Sequence, residues 1–466
     1  MNRKKRLSIM NNPPKVTSTS SPFLRALKAR LGAKASEKGE LERVWRGGSI
    51  WLALELVLVT FACWWAFDPV IVTSYVARLP LGYDIDRMVK LQVASSANYK
   101  ERDADQYAIM QEEERLLGKV QEMDGVEQAY RAKSVPMGFG SVGSINSLFN
   151  DNGDSIHVYG FRFEPDSKMF EVYGMKSLTP GVPTNELTHD CEWDKSIIIP
   201  RSLAMGLFGT TDVAGRNVLV RYYGWDEEKM ESGWLKKHYN IRAVVEDVRY
   251  QSFDHNYATI FVCSGGVNLN VPIIVRLREG VNADRFVQEH QQEVQRELVT
   301  EHCYVRQMLT AREAFEKGYG EVRMKRMTRR NLLIAAFFAT NLAFGVLGTL
   351  LMYTQQRREE AGVKRAFGAT RWRVFWDFIR EAWLLTTVSV LIGCVIFFQF
   401  AASHGLFWME NNGNPAVHFW FYDFGKHFIV VSLIVYIIIL CTVLIGTAIP
   451  AWHICRSKIT ESLMEE

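Results

Sequence analysis

Four long apolar runs constrain this chain more than anything else in it. They are Ser49–Phe67, with a continuation through "VIVTSYV" to Ala77; Asn331–Tyr353; Phe378–Ala402; and Phe428–Pro450, the most apolar. A hydrocarbon core of about 30 Å is crossed by about 20 apolar residues in a helix, so each run is a candidate span. The averages, 48% hydrophobic and a net charge of +4, hide this segregation. Between the first two runs lies a polar, mixed-charge region, 78–325. The expectation is a membrane protein with four transmembrane α-helices and a large α+β extracytoplasmic domain between helices 1 and 2. The first run is too long for a cleaved signal, and the basic tail 1–48 precedes it.

Lys and Arg near the helix ends set the orientation. The tail carries "NRKKR", Lys28, Arg30, Arg43 and Arg46, and the far end carries Arg456 and Lys458. Both termini are therefore expected in the cytoplasm. "VRMKRMTRR", Val322–Arg330, is basic and falls outside, but long regions translocate largely regardless of charge. A juxtamembrane basic tail suits anionic lipid better than nucleic acid, so membrane lipid is an expected partner and nucleic acid is not.

The region 78–325 reads as two β-α-β units around a strand-rich block. "MVKLQVAS", a helix with Tyr107, Met110, Leu117 and Val120 on one side, and "VEQAYRAK" form the first. "VPIIVRL", a helix with Phe286, Val287, Val294 and Leu298 on one face, and "CYVRQM" form the second. Each can bury a helix on a small sheet. The block between, 138–264, includes the strand "SIIIP", the short helix "RSLAMGLFG" ending at Gly209, and strands at "NVLVRYY", "YNIRAVVEDV" and "ATIFVC".

Chemical motifs are scarce. "GFGSVG", Gly138–Gly143, matches G-x-G-x-x-G but lacks the strand before and helix after that a dinucleotide site requires. His189, Asp190, Cys191, His302 and Cys303 show no metal-ligand spacing. No P-loop, G-x-S-x-G or H-E-x-x-H occurs in the sequence. No catalytic residue, metal site or bound cofactor is expected. Of seven cysteines, Cys63, Cys394 and Cys441 sit in apolar runs; Cys191, Cys263 and Cys303 face outside, with room for one disulfide and nothing in the spacing to choose it.

One stretch is too elaborate for a passive connector: "QQRREEAGVKRAFGATRWRVFWDF", Gln355–Phe378. It is about 24 residues long, where packed helices are joined by about two to eight. Val363, Ala366 and Phe367 share a helical face, and Glu359, Glu360, Lys364 and Arg365 can pair at short range. Gly368 breaks the helix, and Thr370 can cap the next, which runs without a stop into the third span. Trp372, Trp376 and Arg373 suit a membrane interface. In the second span Ala335, Ala339 and Ala343 step by four and Gly345–Thr349 repeats the spacing, the small-residue pattern of a helix–helix seam; Asn341 adds a polar group. Glu55 is the one carboxylate read as well inside a span, near enough the cytoplasmic edge to reach water.

Arg358, Glu360, Gly362, Lys364, Arg365, Ala366, Gly368, Ala369, Thr370 and Arg371 resemble the signature R-x-E-x-G-[IV]-[KR]-[KR]-A-x-G-A-[ST]-[KR] of FtsX-like/MacB-like permeases, the membrane subunits of certain ABC transporters. "FEVYGMKSLTPG", "SIIIPRSLAMGLFGTTDVAGRNVLV", "RAVVEDVRYQSF" and the terminal "IPAWHICRSKITESL" resemble further motifs of the family in the same order. The resemblance implies a protein of the bacterial inner membrane with an FtsX-like permease domain at about 331–460. It also implies a MacB-like outer domain at 78–325, porter-like over 80–137 and 265–320, with the β-rich part inserted at 138–264. A stalk and second span would occupy 326–353, a coupling loop 354–377, a third span 378–402, an outer loop 403–427, a fourth span 428–450, and a cytoplasmic tail 451–466. It further implies an ATPase-coupling segment made of Arg357, Arg358, Glu360, Gly362, Val363, Lys364, Arg365, Ala366, Phe367, Gly368, Ala369, Thr370 and Arg371. The expected partners are a cytoplasmic ABC ATPase carrying ATP and Mg, a second permease, identical or paralogous, and a periplasmic adaptor or an envelope substrate such as a lipoprotein, peptide or antibiotic. The alternative is a signalling permease that controls a cell-wall hydrolase or a sensor kinase.

Overall fold

After a first long helix, α1 (Gly48–Val76), the chain builds two β-structures and packs short helices on them. The computed structural model describes residues 48–95, 106–134, 145–226, 230–255, 257–265, 268–356, 364–365, 367–408 and 414–456. The described residues divide by contact into two units. One comprises those up to Leu58, Asn341–Ile392, and those from Leu440 onward; the other comprises Val59–Thr340 and Gly393–Ile439.

The second unit begins with β1 (Met88–Ser95), α2 (Gln106–Gln121) and β2 (Val126–Arg131). Strands β3 (Ile145–Phe149) and β4 (Ser155–Phe163) follow, then a short helix α3 (Met169–Tyr173), β5 (Ser196–Pro200) and α4 (Arg201–Phe208). Next come β6 (Asn217–Asp226), β7 (Glu231–Val245), β8 (Thr259–Cys263), β9 (Ile273–Leu277), α5 (Ala283–Glu297), β10 (Cys303–Thr310) and α6 (Ala311–Glu316). The sheet order β10-β1-β9-β2 interleaves the two β-α-β units, as split β-α-β folds do. The other six strands close a barrel, β3-β4-β8-β5-β7-β6.

Each β-structure has a core that its sequence pattern dictates. Val89, Leu91 and Val93 alternate inward on β1 and meet Leu116 and Val120 of α2 and Phe286 and Val294 of α5. Asn282 caps α5, its side chain accepting the Arg285 N–H at 3.0 Å. In the barrel, β5 is buried at every position, which is why "SIIIP" is one apolar run rather than an alternation. A third, aromatic core gathers Tyr83, Tyr130, Phe161, Phe170, Tyr173 and Phe261.

Two features depart from the sequence reading. The inward face of α2 is Ile109, Leu116 and Val120, while Tyr107 is exposed. Glu112 and Glu113 also turn inward, because both find partners there. Glu113 pairs with buried Arg131 and accepts the Asn270 N–H at 2.6 Å; Glu112 accepts from Thr300 and His302. Second, β6 and β7 continue past the apolar part as a hairpin, in register from Tyr223 opposite Trp234 to Asp226 opposite Glu231. Cross-strand contacts hold this polar extension: Tyr223 meets Trp234 edge-on at 5.7 Å, and Arg221 lies 4.7 Å from the Trp234 ring centroid.

Three more long helices follow: α7 (Tyr319–Gln356), α8 (Arg371–His404) and α9 (Phe424–Arg456). Among the described residues, three helices are long and apolar enough to cross a membrane: Ile50–Val76, Arg371–His404 and Phe424–Arg456. The expected second span, 331–353, lies within α7, where the side chains of 346–347 and 349–356 fall outside the described residues. Pro450, expected to end the last span, sits inside α9, which continues to Arg456. A proline removes one ladder donor, a loss that membrane helices re-satisfy locally. Pro69 of α1 is another case; four residues on, the Thr73 hydroxyl donates to the Pro69 carbonyl, the back-bond a helical threonine makes to residue i−4.

Candidate functional site

The sequence singled out the turn before α8. Of its residues, Arg357, Arg358, Glu360, Gly362, Val363 and Ala366 lie outside the described residues, as do the tail 1–47, "GFGSVG" and residues 457–466. Lys364, Arg365, Phe367, Gly368, Ala369, Thr370 and Arg371 are described. The Gly368 N–H donates to the Arg365 carbonyl at 3.0 Å and the Ala369 N–H to the Lys364 carbonyl at 3.0 Å. Those two bonds make a Schellman stop, and Gly368 supplies its left-handed residue with φ 94°. Two residues later Thr370 caps α8, its hydroxyl accepting the Arg373 N–H at 3.3 Å. Lys364 reaches across the turn to Asp377 at 3.4 Å. Val374 and Phe378 bury themselves against Ala451 and Cys455 of α9, and Trp372 meets Trp452 at 5.5 Å. Phe367, in contrast, is 89% exposed.

A second constellation, which sequence reasoning did not assign a role, is the loop 249–255 after β7. Arg249 is 0% exposed, and carbonyls surround its guanidinium. Nε donates to Pro80 O at 2.9 Å; Nη1 donates to Val76 O and Ser252 O at 2.8 Å each; Nη2 donates to Leu79 O. Val76 is the last residue of α1, so a buried cation caps the negative end of that helix. Three residues on, both carboxylate oxygens of Glu321, in the first turn of α7, accept from Ser252 N–H and Oγ at 2.6 Å each. At the end of the loop, Tyr422 donates to the His255 carbonyl at 3.1 Å, and His255 Nδ1 lies 2.5 Å from the same hydroxyl. Burial, aided by the Arg249 charge, lowers the His255 pKa to about 4, so the ring is neutral; because the Tyr422 hydroxyl donates to the His255 carbonyl, Nδ1–H donates a hydrogen bond to the Tyr422 oxygen. One loop thus grips the end of α1, the start of α7 and the segment leading into α9. The only sequence sign was "VRYQSFDH" itself, a charge and a histidine placed among aromatics.

Residues 332–459 match the family described as FtsX-like permease C-terminal, and both the turn and the last two long helices fall inside that segment. This segment is an FtsX-like permease C-terminal domain. Over 271 residues, 57% of the chain, the sequence is 22% identical to the macrolide export ATP-binding/permease protein MacB of Neisseria meningitidis. It is 36% identical over 63 residues, 14% of the chain, to the protein of that name from Marinobacter nauticus. The matches span 38% and 10% of those relatives' lengths. The periplasmic region of MacB from Actinobacillus actinomycetemcomitans aligns over 51% of this chain and 95% of its own, with 11% identity and a TM-score of 0.28. The chain is a multi-pass membrane protein carrying an FtsX-like domain and distantly related to MacB.

Within the FtsX-like domain the expected seam residues separate. Ala335 is fully buried inside the chain. Ala339 and Ala343 are half-buried and Asn341 is exposed; the Thr349 side chain lies outside the described residues. Gly345 faces Glu55 so closely that a Cβ there would fall 1.9 Å from Oε1. Glu55 therefore lies against α7 while staying only partly buried. Nor is it the one acid in α1. Asp68, buried, meets fully buried His427 Nε2 at 2.6 Å, while His427 Nδ1 faces the Phe421 carbonyl at 2.9 Å and Asp68 Oδ2 accepts the Phe407 N–H at 3.1 Å. This pair ties both ends of the loop between α8 and α9 to α1. The sequence reading missed it because Asp68 follows the first stretch of the apolar run directly.

The remaining candidates disperse. His302 joins Glu112 rather than His189 or Cys191, with Nδ1 2.8 Å from Oε1. Glu112, Glu301 and His302 cluster closely enough for a metal, yet the Glu112 oxygens already accept from Thr300 and His302. His189 pairs with Asp166 at 2.7 Å on the surface.

Proposed function

We propose that this chain is the permease subunit of an ABC transporter and passes movement from a separate cytoplasmic ATPase to its outer domain. The apolar part of α7, 331–353, serves as the second of four spans, with both termini cytoplasmic and region 78–325 periplasmic. The segment 357–371 is the docking element, and ATP and Mg are held by the partner rather than by this chain. Exposed Phe367 carries this reading: it is a large aromatic left uncovered between a Schellman stop and a threonine-capped helix start. A solvated connector has no use for that combination, whereas a helix that fits a partner's groove does. The turn joins directly to the 34-residue α8, so force on it is delivered to a rigid rod. A second permease copy or paralogue, and an exported or extracted envelope substrate, complete the assembly we infer.

The test is recovery of a P-loop ATPase, identified by mass spectrometry, with affinity-tagged full-length chain from native membranes. Phe367→Asp is expected to abolish recovery while membrane insertion and thermal stability stay as in the wild type. Equal recovery with the variant would remove this segment from the interface.

A further inference from the structure

Cys191 and Cys263 are far apart in sequence and adjacent in the fold. Both are buried in the aromatic core, whereas Cys303 lies in the core of the sheet. The backbone brings them together. The Asp194 N–H donates to the Cys263 carbonyl at 2.8 Å, and the Trp193 ring packs on Gly265, so segment 191–194 lies along 263–265. The Cys263 thiol donates to the Cys191 carbonyl at 3.7 Å, and the Cys191 thiol donates to the Leu187 carbonyl at 3.4 Å. Nothing else in the reading of the outer domain uses either thiol.

We propose that Cys191 and Cys263 are joined as a disulfide in the mature protein, stapling the segment before β5 to the end of β8. The proposal rests on the periplasmic placement of the outer domain, since disulfides persist in oxidising compartments. The oxidant is the disulfide of an oxidised dithiol carrier of that compartment. Cys191, as thiolate, attacks one carrier sulfur; the carrier's S–S bond breaks and its other sulfur leaves as thiol. Cys263 then gives up its proton and attacks the Cys191 sulfur, releasing the second carrier thiol. Two electrons pass to the carrier, and one S–S bond forms between the segment before β5 and the end of β8. The hydrogen bond from Cys263 holds the Cys191 thiol below the usual range against the upward push of burial, and the nearby Arg242 charge adds to it; Cys263 is pushed up. Cys303, which burial raises to about 12, stays a thiol. The link spans 72 positions, long enough to restrict the unfolded chain strongly.

Full-length protein from native membranes is trapped with iodoacetamide, unfolded, labelled with a second alkylating reagent and digested without reductant. The expected product is a peptide pair joined through Cys191 and Cys263 that separates on reduction, with Cys303 alkylated. The double variant Cys191→Ser, Cys263→Ser is expected to melt roughly 10 °C below the wild type. In parallel, Asn152→Cys, on an exposed turn, is treated with an impermeant maleimide in intact spheroplasts. Alkylation of both Cys191 and Cys263 with Asn152→Cys labelled would overturn the disulfide and leave the topology standing. The same alkylation with Asn152→Cys protected would sink both.

Discussion

The loop 249–255 and the turn 364–373 solve opposite problems. In the loop, side chains satisfy backbone: Arg249, fully buried, serves carbonyls of α1, its own loop and the linker between, and Ser252 and His255 hold Glu321 and Tyr422. In the turn, the backbone satisfies itself through a Schellman stop and a threonine cap, and the large side chain is left over. The first arrangement is complete within one chain. The second leaves Phe367 exposed, and the docking role we propose rests on that residue.

The largest expected effect that would break this contrast is Arg249→Met. It strands several buried carbonyls, each costing about 1–3 kcal/mol when left unmet, so the loop is expected to lose about 3–5 kcal/mol. The measurement is thermal unfolding of the full chain in detergent, with limited proteolysis mapping cleavage to 249–255. Arg249→Lys recovers only part, because an ammonium cannot reach carbonyls in a fork. Phe367→Asp, in the same assay, stays within about 0.5 kcal/mol of wild type, as exposed substitutions do. If Arg249→Met melts like the wild type, the loop is no joint.

Next in size is a pH effect confined to the loop. Burial lowers the His255 pKa from the ordinary 6.5 to about 4. The unfolded chain therefore binds a proton that the folded one refuses, and stability falls as pH drops from about 6.5 towards 4. The contribution is complete above that window and amounts to about 3 kcal/mol at the extreme. Hydrogen exchange of the amides around 249–255 should quicken across the window, while amides 371–374 of the turn should not share the change. His255→Gln, which can still donate to Tyr422 but does not titrate there, is expected to flatten the response. An unchanged profile in that variant would move the cause elsewhere.

These regions also show what a sequence can disclose. Helices, the two β-α-β units and the turn were legible because each is written locally: apolar runs of span length, alternation on β1, Gly368 and Thr370 at fixed offsets; the merging of the two units in one sheet was not. Arg249, Asp68 and His427 were not, because their meaning lies in partners scattered along the chain: Val76 and Pro80 for Arg249, Phe421 and Phe407 for the Asp68–His427 pair. The α2 face was misjudged for the same reason. Glu112 and Glu113 look solvated until Thr300, His302 and Arg131 arrive from later in the chain.

The smallest effect tests whether the turn's shape matters apart from its exposed aromatic. Thr370→Ala removes the hydroxyl that accepts the Arg373 N–H, a loss of about 1 kcal/mol for a helix N-cap. The backbone bond from the same N–H to the Thr370 carbonyl, 3.0 Å, remains, so α8 should fray at its first turn rather than unfold. Exchange of amides 371–374 is expected to rise about fivefold with global melting unchanged. ATPase recovery should weaken without vanishing, because Phe367 is still present but held less firmly. Full recovery alongside faster exchange would mean that the partner reads the side chain alone. Loss as complete as with Phe367→Asp would mean that rigidity of the turn, rather than the aromatic, carries the contact.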